Sequence, residues 1–260
     1  MDAFKRNLEK LAELAIRVGL NLEKGQEVIA TAPIEAVDFV RLLAEKAYRE
    51  GASLFTVIYG DQELARKRLA LAPEEGLDKA PAWLYEGMAR ALREGAARLA
   101  VSGSDPKALE GLPPEKVGRA QKANARAYKP ALEAITEFVT NWTIVPFAHP
   151  GWARAVFPGL PEEEAVRRLW EAIFQATRAD QEDPIAAWEA HNRALHEKVA
   201  YLNARRFHAL HSSFRADAAH TVVAVTAAQV PDIAGRRYPA SLAGRLYPEG
   251  WARFSAILVF

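Results

Sequence analysis

The sequence predicts an α/β fold whose N-terminal domain is a mainly parallel sheet flanked by helices, followed by a helical region and a short irregular or β tail. Short apolar runs alternate with amphipathic helical segments, which is the rhythm of parallel strands joined by helical crossovers. Glycine, proline and aspartate stand at the junctions between them. Half of the 260 residues are hydrophobic, so a substantial core is possible. We predict an α/β domain at 1–140, a helical connecting region at 141–211 and a divergent tail at 212–260.

The elements follow in order. Apolar residues at four- and three-residue spacings predict a first helix, capped by Asp2 and ended by Gly19; these are Phe4, Leu8, Leu11, Ala15 and Val18. Runs that predict strands lie at 27–31, 53–59, 98–102 and 142–146. Helical patterns occupy the segments near 34–48, 80–95, 114–138 and 184–202, and two further helices are predicted to begin near Asp61 and near Glu162. The run 221–226 suggests a strand in the tail.

Composition excludes several classes of function. The chain has 34 basic and 33 acidic residues, so its near-neutral charge favours neither nucleic acid nor an anionic membrane as a partner. It has no cysteine, which excludes disulfides, thiolate metal sites and a cysteine nucleophile. The N-terminus is amphipathic and no apolar run reaches membrane-spanning length, so we expect a cytoplasmic protein. Arginine outnumbers lysine by 23 to 11, which suits a thermophile.

The chain changes character near His211. Residues 1–211 contain 29 basic and 30 acidic residues, whereas 212–260 contain five arginines, no lysine and three carboxylates. Those carboxylates are Asp217, Asp232 and Glu249. The tail therefore contains few side chains from which a catalytic centre of clustered histidine and carboxylate could be built.

Strand-to-loop junctions in an α/β sheet are the usual place for ligands. The first junction carries Thr31-Ala32-Pro33 and the third carries Ser102-Gly103-Ser104-Asp105. Neither contains the Gly-x-Gly-x-x-Gly pattern or the glycine and lysine of a phosphate loop. Turn and capping chemistry explains both, so we do not predict a nucleotide site.

Two histidine groups suggest metal binding. His191 and His196, with Glu189 and Glu197, lie in a helical segment, but five residues separate the histidines by about 140° around a helix. The helical zinc motif requires a spacing of four. A solvated, salt-bridged helix is the better interpretation.

The second group is His208 and His211, which would share a helix face, with Asp217 and His220 following. Two histidines and a carboxylate make a legitimate open metal set. The adjoining arginines make this neighbourhood unfavourable for a dication. Ser212-Ser213 lack the Gly-x-Ser-x-Gly turn of a hydrolase nucleophile.

Four tryptophans are spread through the helical region, and they would either stack on a ligand or join helices to the sheet. We predict the packing role, because no basic groove accompanies them. They are Trp142, Trp152, Trp170 and Trp188.

An ordered set of landmarks over residues 1–211 resembles the thermophilic aminopeptidase T/S family of metallopeptidases. The set comprises Leu22, Gly25, Gln26 and Val28 before Ala32-Pro33, Gly51-Ala52 before the strand at 54–59, Trp142 with Pro146, Trp152-Ala153 with Phe157, Leu169-Trp170, Asp180, Asp183-Pro184, Trp188, His191 and Leu202-Asn203. The resemblance implies an α/β N-terminal domain followed by a domain with a two-metal site that holds zinc, cobalt or magnesium. It also implies a homodimer that removes N-terminal amino acids from peptides.

The tail departs from this family. Where members continue into a Gly-Thr-Asp-Leu-like strand and an Asn-x-Pro-Thr-Glu-Glu segment, this chain has Ser212–Asp217. We therefore assign no metal ligand, no cofactor-binding residue and no catalytic residue, and we expect the tail to be unrelated and the metal to lie outside this chain. Three functions stay open: a metal-dependent aminopeptidase by descent, a catalytically silent domain for dimerisation or substrate gating, and a module that binds small acidic metabolites at the sheet edge.

Overall fold

The computed structural model describes residues 2–205, 209–217 and 220–228, the last two segments through their backbone. A first compact unit covers the described chain up to Ile185, and a second begins at Ala186. The helices of the first unit are α1 (Ala3–Leu14), α2 (Val37–Arg49), α3 (Gln62–Leu71), α4 (Glu74–Leu77), α5 (Ala82–Arg93), α6 (Pro114–Thr136), α7 (Pro150–Val156) and α8 (Glu162–Thr177). The second unit contains most of α9 (Pro184–Arg205).

Four parallel strands form the sheet of the first unit, in the order β2-β1-β3-β4. They are β1 (Glu27–Pro33), β2 (Leu54–Gly60), β3 (Ala97–Ser102) and β4 (Trp142–Pro146). All four strands occur where the sequence predicts them, and the fold class is confirmed. β4 joins this sheet although it lies just beyond position 140, where we expected the first domain to end. β2 lies on one side of β1, whereas the next strand along the chain, β3, lies on the other side of β1. The topological switch point is therefore between β1 and β3.

Helices cover both faces of the sheet. On one face, Ile29 packs with buried residues of α5 and α6, namely Met88, Ala89, Leu92, Ala131 and Ala134. Val28 and Ala30 alternate with Ile29 along β1 and are fully buried, so they serve the opposite face. Near α1, α2 and α8, aromatic rings pack edge to face at centroid distances of 5.5 to 5.9 Å, between Trp170 and each of Phe4, Phe39 and Phe147. The predicted packing role of Trp170 is confirmed.

The amino ends of the strands are held by a buried amide network. Asn141 is 8% exposed, and its Nδ2 donates to the carbonyl oxygen of Leu20 at 2.7 Å and to Oε1 of Gln26 at 3.1 Å. Gln26 returns a bond from Nε2 to Oδ1 of Asn141 at 2.6 Å and donates to the carbonyl oxygen of Gly95 at 2.8 Å. This reciprocal pair ties the loop before β1 to the strands β3 and β4.

The second described sheet is an antiparallel pair of strands, β5 (Ala209–Asp217) and β6 (His220–Ala228). The predicted strand at 221–226 falls within β6. The prediction of a shared helix face at 208–211 is wrong, because β5 begins at Ala209, and His208 lies outside the described residues. An antiparallel partner strand satisfies the backbone of this segment in place of helical bonds.

Candidate functional site

Polar side chains gather at the carboxyl end of the sheet, where α/β proteins usually bind ligands. All four strands end at this edge, because they are parallel. The segment that follows each strand contributes at least one polar side chain to the group. We call this group the C-edge cluster: Glu35, Gln62, Asp105, His149 and Arg154. The sequence prediction identified two of the junctions but not the cluster.

His149 occupies the interior of the cluster. It is 8% exposed, and its Nδ1 accepts a hydrogen bond from the backbone nitrogen of Gly151 at 3.0 Å, which caps α7. An acceptor nitrogen carries no hydrogen, so the ring proton is on Nε2. Oε1 of Glu35 lies 3.6 Å from that nitrogen. The distance exceeds a normal hydrogen bond, so the contact between the Glu35 carboxylate and the ring is a longer electrostatic one.

Asp105 is fixed from several sides. The side chain of Gln62 makes two hydrogen bonds to the backbone of Asp105. Its Oε1 accepts from the Asp105 nitrogen at 2.8 Å, and its Nε2 donates to the Asp105 carbonyl oxygen at 3.2 Å. The carboxylate accepts from the backbone nitrogen of Lys107 at 2.8 Å and faces Arg154 at 3.2 Å. Arg154 also pairs with Glu162. The one guanidinium of the cluster therefore already faces two carboxylates, which gives no support to binding of a small acidic metabolite here.

Two glycines allow the loops of this edge to meet closely. A Cβ at Gly103 would lie 2.2 Å from the carbonyl oxygen of Phe147, and a Cβ at Gly151 would lie 2.5 Å from Oδ2 of Asp105. Both distances are far below van der Waals contact. The edge is packed against itself, and this packing requires glycine at both positions.

The C-edge cluster does not fit a divalent metal. The Nδ1 lone pair of His149 is used by Gly151, and the Asp105 carboxylate is engaged by a backbone amide and by Arg154. A dication would lie close to that guanidinium and would have to replace these bonds. Within 2–205 and the two described strands, no group of three or more histidine, aspartate or glutamate side chains could hold a metal ion.

The first predicted histidine pair lies on α9. His196 bonds through Nδ1 to the carbonyl oxygen of Asn192 at 2.7 Å, and the ring of His191 meets that of Trp188 at 5.4 Å. The helix is continuous between the two histidines. Because they lie about 140° apart around it, the structure does not bring them together.

The second predicted group lies partly on the hairpin. His220 is opposite Asp217 in the register, and His211 is opposite Thr226. His211 and Asp217 are six positions apart along β5, a span of about 20 Å. One metal ion with bonds of about 2 Å cannot be reached by both, so the strand does not bring His211 and Asp217 to one site, and His208, the fourth residue of the predicted group, lies outside the described residues.

Sequence reasoning also missed a buried cation inside the fold. Arg98 is 7% exposed and has an unpaired Nε, and burial lowers the pKa of its guanidinium. Its Nη2 donates to the hydroxyl of Thr31 at 2.6 Å, and Nη1 donates to the carbonyl of Ile29 at 3.3 Å. Trp142, its register partner, also buries an indole nitrogen without a hydrogen-bond partner. The only sequence signal was a charge inside an apolar strand.

Comparison with known proteins gives the family. The profile described as thermophilic metalloprotease (M29) matches residues 4–226. The chain is 82% identical over 211 residues to "Aminopeptidase T" of Thermus aquaticus and 41% identical over 211 residues to "Aminopeptidase AmpS" of Bacillus subtilis, covering 81% of this chain and 52% of each relative. It also matches the solved structure "Wild-type AmpT from Thermus thermophilus" at 95% identity with a TM-score of 0.77, covering 82% of this chain and 52% of that one.

The match covers only part of each relative. The chain spans about half the length of the curated relatives it matches. High identity over 211 residues confirms the resemblance that the landmarks between Leu22 and Asn203 predicted. The chain belongs to the M29 family of thermophilic metalloproteases and is aminopeptidase T-like over the part it shares with them.

Proposed function

We propose that residues 2–205 form the α/β part of a metal-dependent aminopeptidase that removes N-terminal amino acids from peptides, and that its metal-binding half lies outside them. The observation that carries this is 82% identity to a protein named aminopeptidase T, over only 52% of that protein. In this proposal the metal is zinc, cobalt or magnesium, the assembly is a homodimer and the setting is the cytoplasm. No helix in the described part of the chain is long and apolar enough to cross a membrane.

The geometry of the C-edge cluster also supports a metal-binding half outside residues 2–205. The Nδ1 of His149, the Asp105 carboxylate and the Arg154 guanidinium are engaged with neighbouring groups of the fold, whereas the Glu35 carboxylate faces Nε2 of His149 at 3.6 Å. A general base needs an available lone pair within hydrogen-bond reach of its substrate. Since most groups of this edge are engaged within the fold, we derive no catalytic step from it.

The test uses the purified 260-residue chain with a chromogenic leucine substrate and Zn²⁺, Co²⁺ or Mg²⁺ added in turn. We expect release at the level of the blank and no stoichiometric metal by elemental analysis. A chimera that joins residues 1–211 to the unmatched half of Thermus aquaticus aminopeptidase T should release product, and a chelator should abolish that release. Chelator-sensitive turnover by the 260-residue chain alone would overturn the proposal.

A second candidate is a catalytically silent domain that serves dimerisation or substrate gating, and it is favoured by the bond of His149 to the Gly151 amide and by the pairing of Asp105 with Arg154. Light scattering of the purified chain gives its oligomeric state directly. In the chimera, Arg154→Gln should alter KM if this edge gates the substrate. An unchanged KM, together with a monomeric chain, would refute both silent roles.

A further inference from the structure

Two buried hydrogen-bond donors without partners belong to neighbouring strands of the parallel sheet. Among the residues that the structure describes, Nε of Arg98 and Nε1 of Trp142 have no hydrogen-bond partner. Arg98 is the register partner of Trp142 on one side and of Ile29 on the other. Register partners of parallel strands face the same side of a sheet, so both side chains lie on the face where Ile29 packs against α5 and α6. The hydroxyl of Thr143, which is also buried without a partner, follows Trp142 directly and so belongs to the opposite face.

The positive charge of Arg98 is not balanced by a carboxylate of the described chain. Its hydrogen bonds go to neutral oxygens, which are the carbonyls of Ile29 and Leu99 and the hydroxyl of Thr31. Tyr128 of α6 also interacts with the guanidinium, and within residues 2–205 no carboxylate forms an ion pair with it. An arginine keeps its proton in a protein, and a charge taken out of water is costly unless an opposite charge accompanies it. The environment of Arg98 therefore favours binding of a negative charge.

The chemistry of the two free groups indicates which ligand fits them. A guanidinium and an indole N–H can donate hydrogen bonds but cannot accept them. A water molecule could accept both bonds, but it would leave the charge of Arg98 uncompensated. An anion satisfies both donors and supplies the opposite charge. One guanidinium requires one negative charge, and a position between a sheet and its covering helices favours an ion as small as chloride.

We propose that Arg98 and Trp142 bind a small monovalent anion of the size of chloride, with the N–H groups at Nε and Nε1 as its donors. β4 is an edge strand of the four-stranded sheet, and Trp142 is partly exposed although its indole nitrogen is buried, which gives the ion a route from solvent. Both residues lie near the amino ends of their strands, whereas the C-edge cluster follows the carboxyl ends. The ion would stabilise the folded chain whether or not the chain cleaves peptides, so the site is independent of the proposed function.

The test measures the Tm of the purified 260-residue chain in mixtures of sodium chloride and sodium gluconate at constant ionic strength. An anion that binds only the folded chain raises the ratio of folded to unfolded protein in proportion to its occupancy of the site. For half-occupancy at about 10 mM, an increase in chloride from about 3 to about 300 mM should raise this ratio about 25-fold and the Tm by roughly 4 to 8 °C. Gluconate is too bulky for an enclosed site of this kind, so it serves as the inert anion.

Three variants separate this site from ions that bind at the surface. Arg98→Met keeps a long side chain without the charge, and it should abolish the dependence of Tm on chloride. Trp142→Phe keeps an aromatic ring without the N–H, so the chloride concentration at half-effect should rise about tenfold, as expected for the loss of one hydrogen bond. Trp152→Phe makes the same replacement at another partly buried tryptophan and should respond to chloride as the wild type does.

Crystals of the wild-type chain grown in sodium bromide give a measurement that does not depend on the variants, because bromide scatters X-rays anomalously. We expect an anomalous peak within hydrogen-bonding distance of both Nε of Arg98 and Nε1 of Trp142. A water molecule at that position in the bromide crystals would overturn the proposal. A Tm that is equal in chloride and gluconate, or a chloride response that Arg98→Met retains, would do the same. A response that Trp142→Phe leaves unchanged would contradict the assignment of the indole as a donor to the ion.

Discussion

The amide pair of Asn141 and Gln26 should be among the most sensitive polar contacts of this fold. Asn141→Ala removes the bond to the carbonyl oxygen of Leu20 and both bonds to Gln26, at 2.7, 3.1 and 2.6 Å. Each neutral hydrogen bond contributes about 1 kcal/mol net, and a carbonyl left unsatisfied and buried adds to the loss. We therefore expect the free energy of unfolding to fall by roughly 3 kcal/mol, or about 6 to 12 °C in Tm for a chain of this size.

The reciprocal geometry makes a sharper prediction through a double-mutant cycle. Gln26→Ala removes the two bonds shared with Asn141, the bond to Gly95 and the bond that Oε1 accepts from the Glu23 nitrogen. This side chain is only partly buried and water replaces part of the loss, so we expect about 1 to 2 kcal/mol. Because two bonds are shared, Gln26→Ala/Asn141→Ala should cost less than the sum of the single variants by about 1 to 2 kcal/mol.

Thermal unfolding followed by tryptophan fluorescence and by circular dichroism measures all three variants. The control is Asn124→Ala, since the exposed Asn124 accepts a single bond from the hydroxyl of Tyr85 at 2.7 Å. It should change the free energy of unfolding by less than about 1 kcal/mol. If the losses from Gln26→Ala and Asn141→Ala simply add, or if Asn141→Ala is no worse than the control, the amide pair does not hold the strands as argued.

Three further predictions concern the close contacts and charges of the first unit. Gly103→Ala should lower Tm sharply, because its Cβ would lie 2.2 Å from the carbonyl oxygen of Phe147. Gly118 lies in open space on α6, so Gly118→Ala should raise the free energy of unfolding by about 0.5 to 1 kcal/mol in the same thermal assay. The hydrogen bond from Arg119 lowers the pKa of Asp78, so this pair stabilises the fold above the usual range of an aspartate and loses its effect as the pH falls through the lowered pKa. The Tm difference between wild type and Arg119→Gln should therefore shrink from about pH 6 to about pH 3, and a difference that is constant with pH would contradict the pairing. His149→Ala should destabilise more than His149→Asn in urea titration, because asparagine can still accept the capping bond at the start of α7; equal losses would show that the cap contributes nothing.

The sheet was predictable because each strand carries its own local signal. The runs at 27–31 and 98–102 are apolar, short and bounded by glycine, and the crossover helices between strands carry apolar faces. Parallel pairing follows from those crossovers with little freedom. The register and the switch point between β1 and β3 came only from the structure, since periodicity does not specify which strands are neighbours.

The C-edge cluster was not predictable in the same way. Glu35 and His149 are 114 positions apart and neither belongs to a motif, so only the shared sheet edge brings them within 3.6 Å. The error at His208–His211 has a related cause. Two histidines three residues apart fit one helix face, but the alternation in the following segment fits a strand equally well. Pairing with β6 makes the segment from Ala209 a strand.

The position of a polar cluster in an α/β fold does not by itself make it an active site. The carboxyl edge of a parallel sheet collects polar side chains in any such fold, because loops and helix starts need caps there. What separates a reactive edge from a structural one is whether those groups keep unused lone pairs. Here Asp105 bonds to an amide and a guanidinium, and His149 gives its acceptor nitrogen to a helix cap. These bonds hold the edge together and use acceptor positions that a metal would need, so we expect the metals of a metallopeptidase built on this fold to lie on other residues.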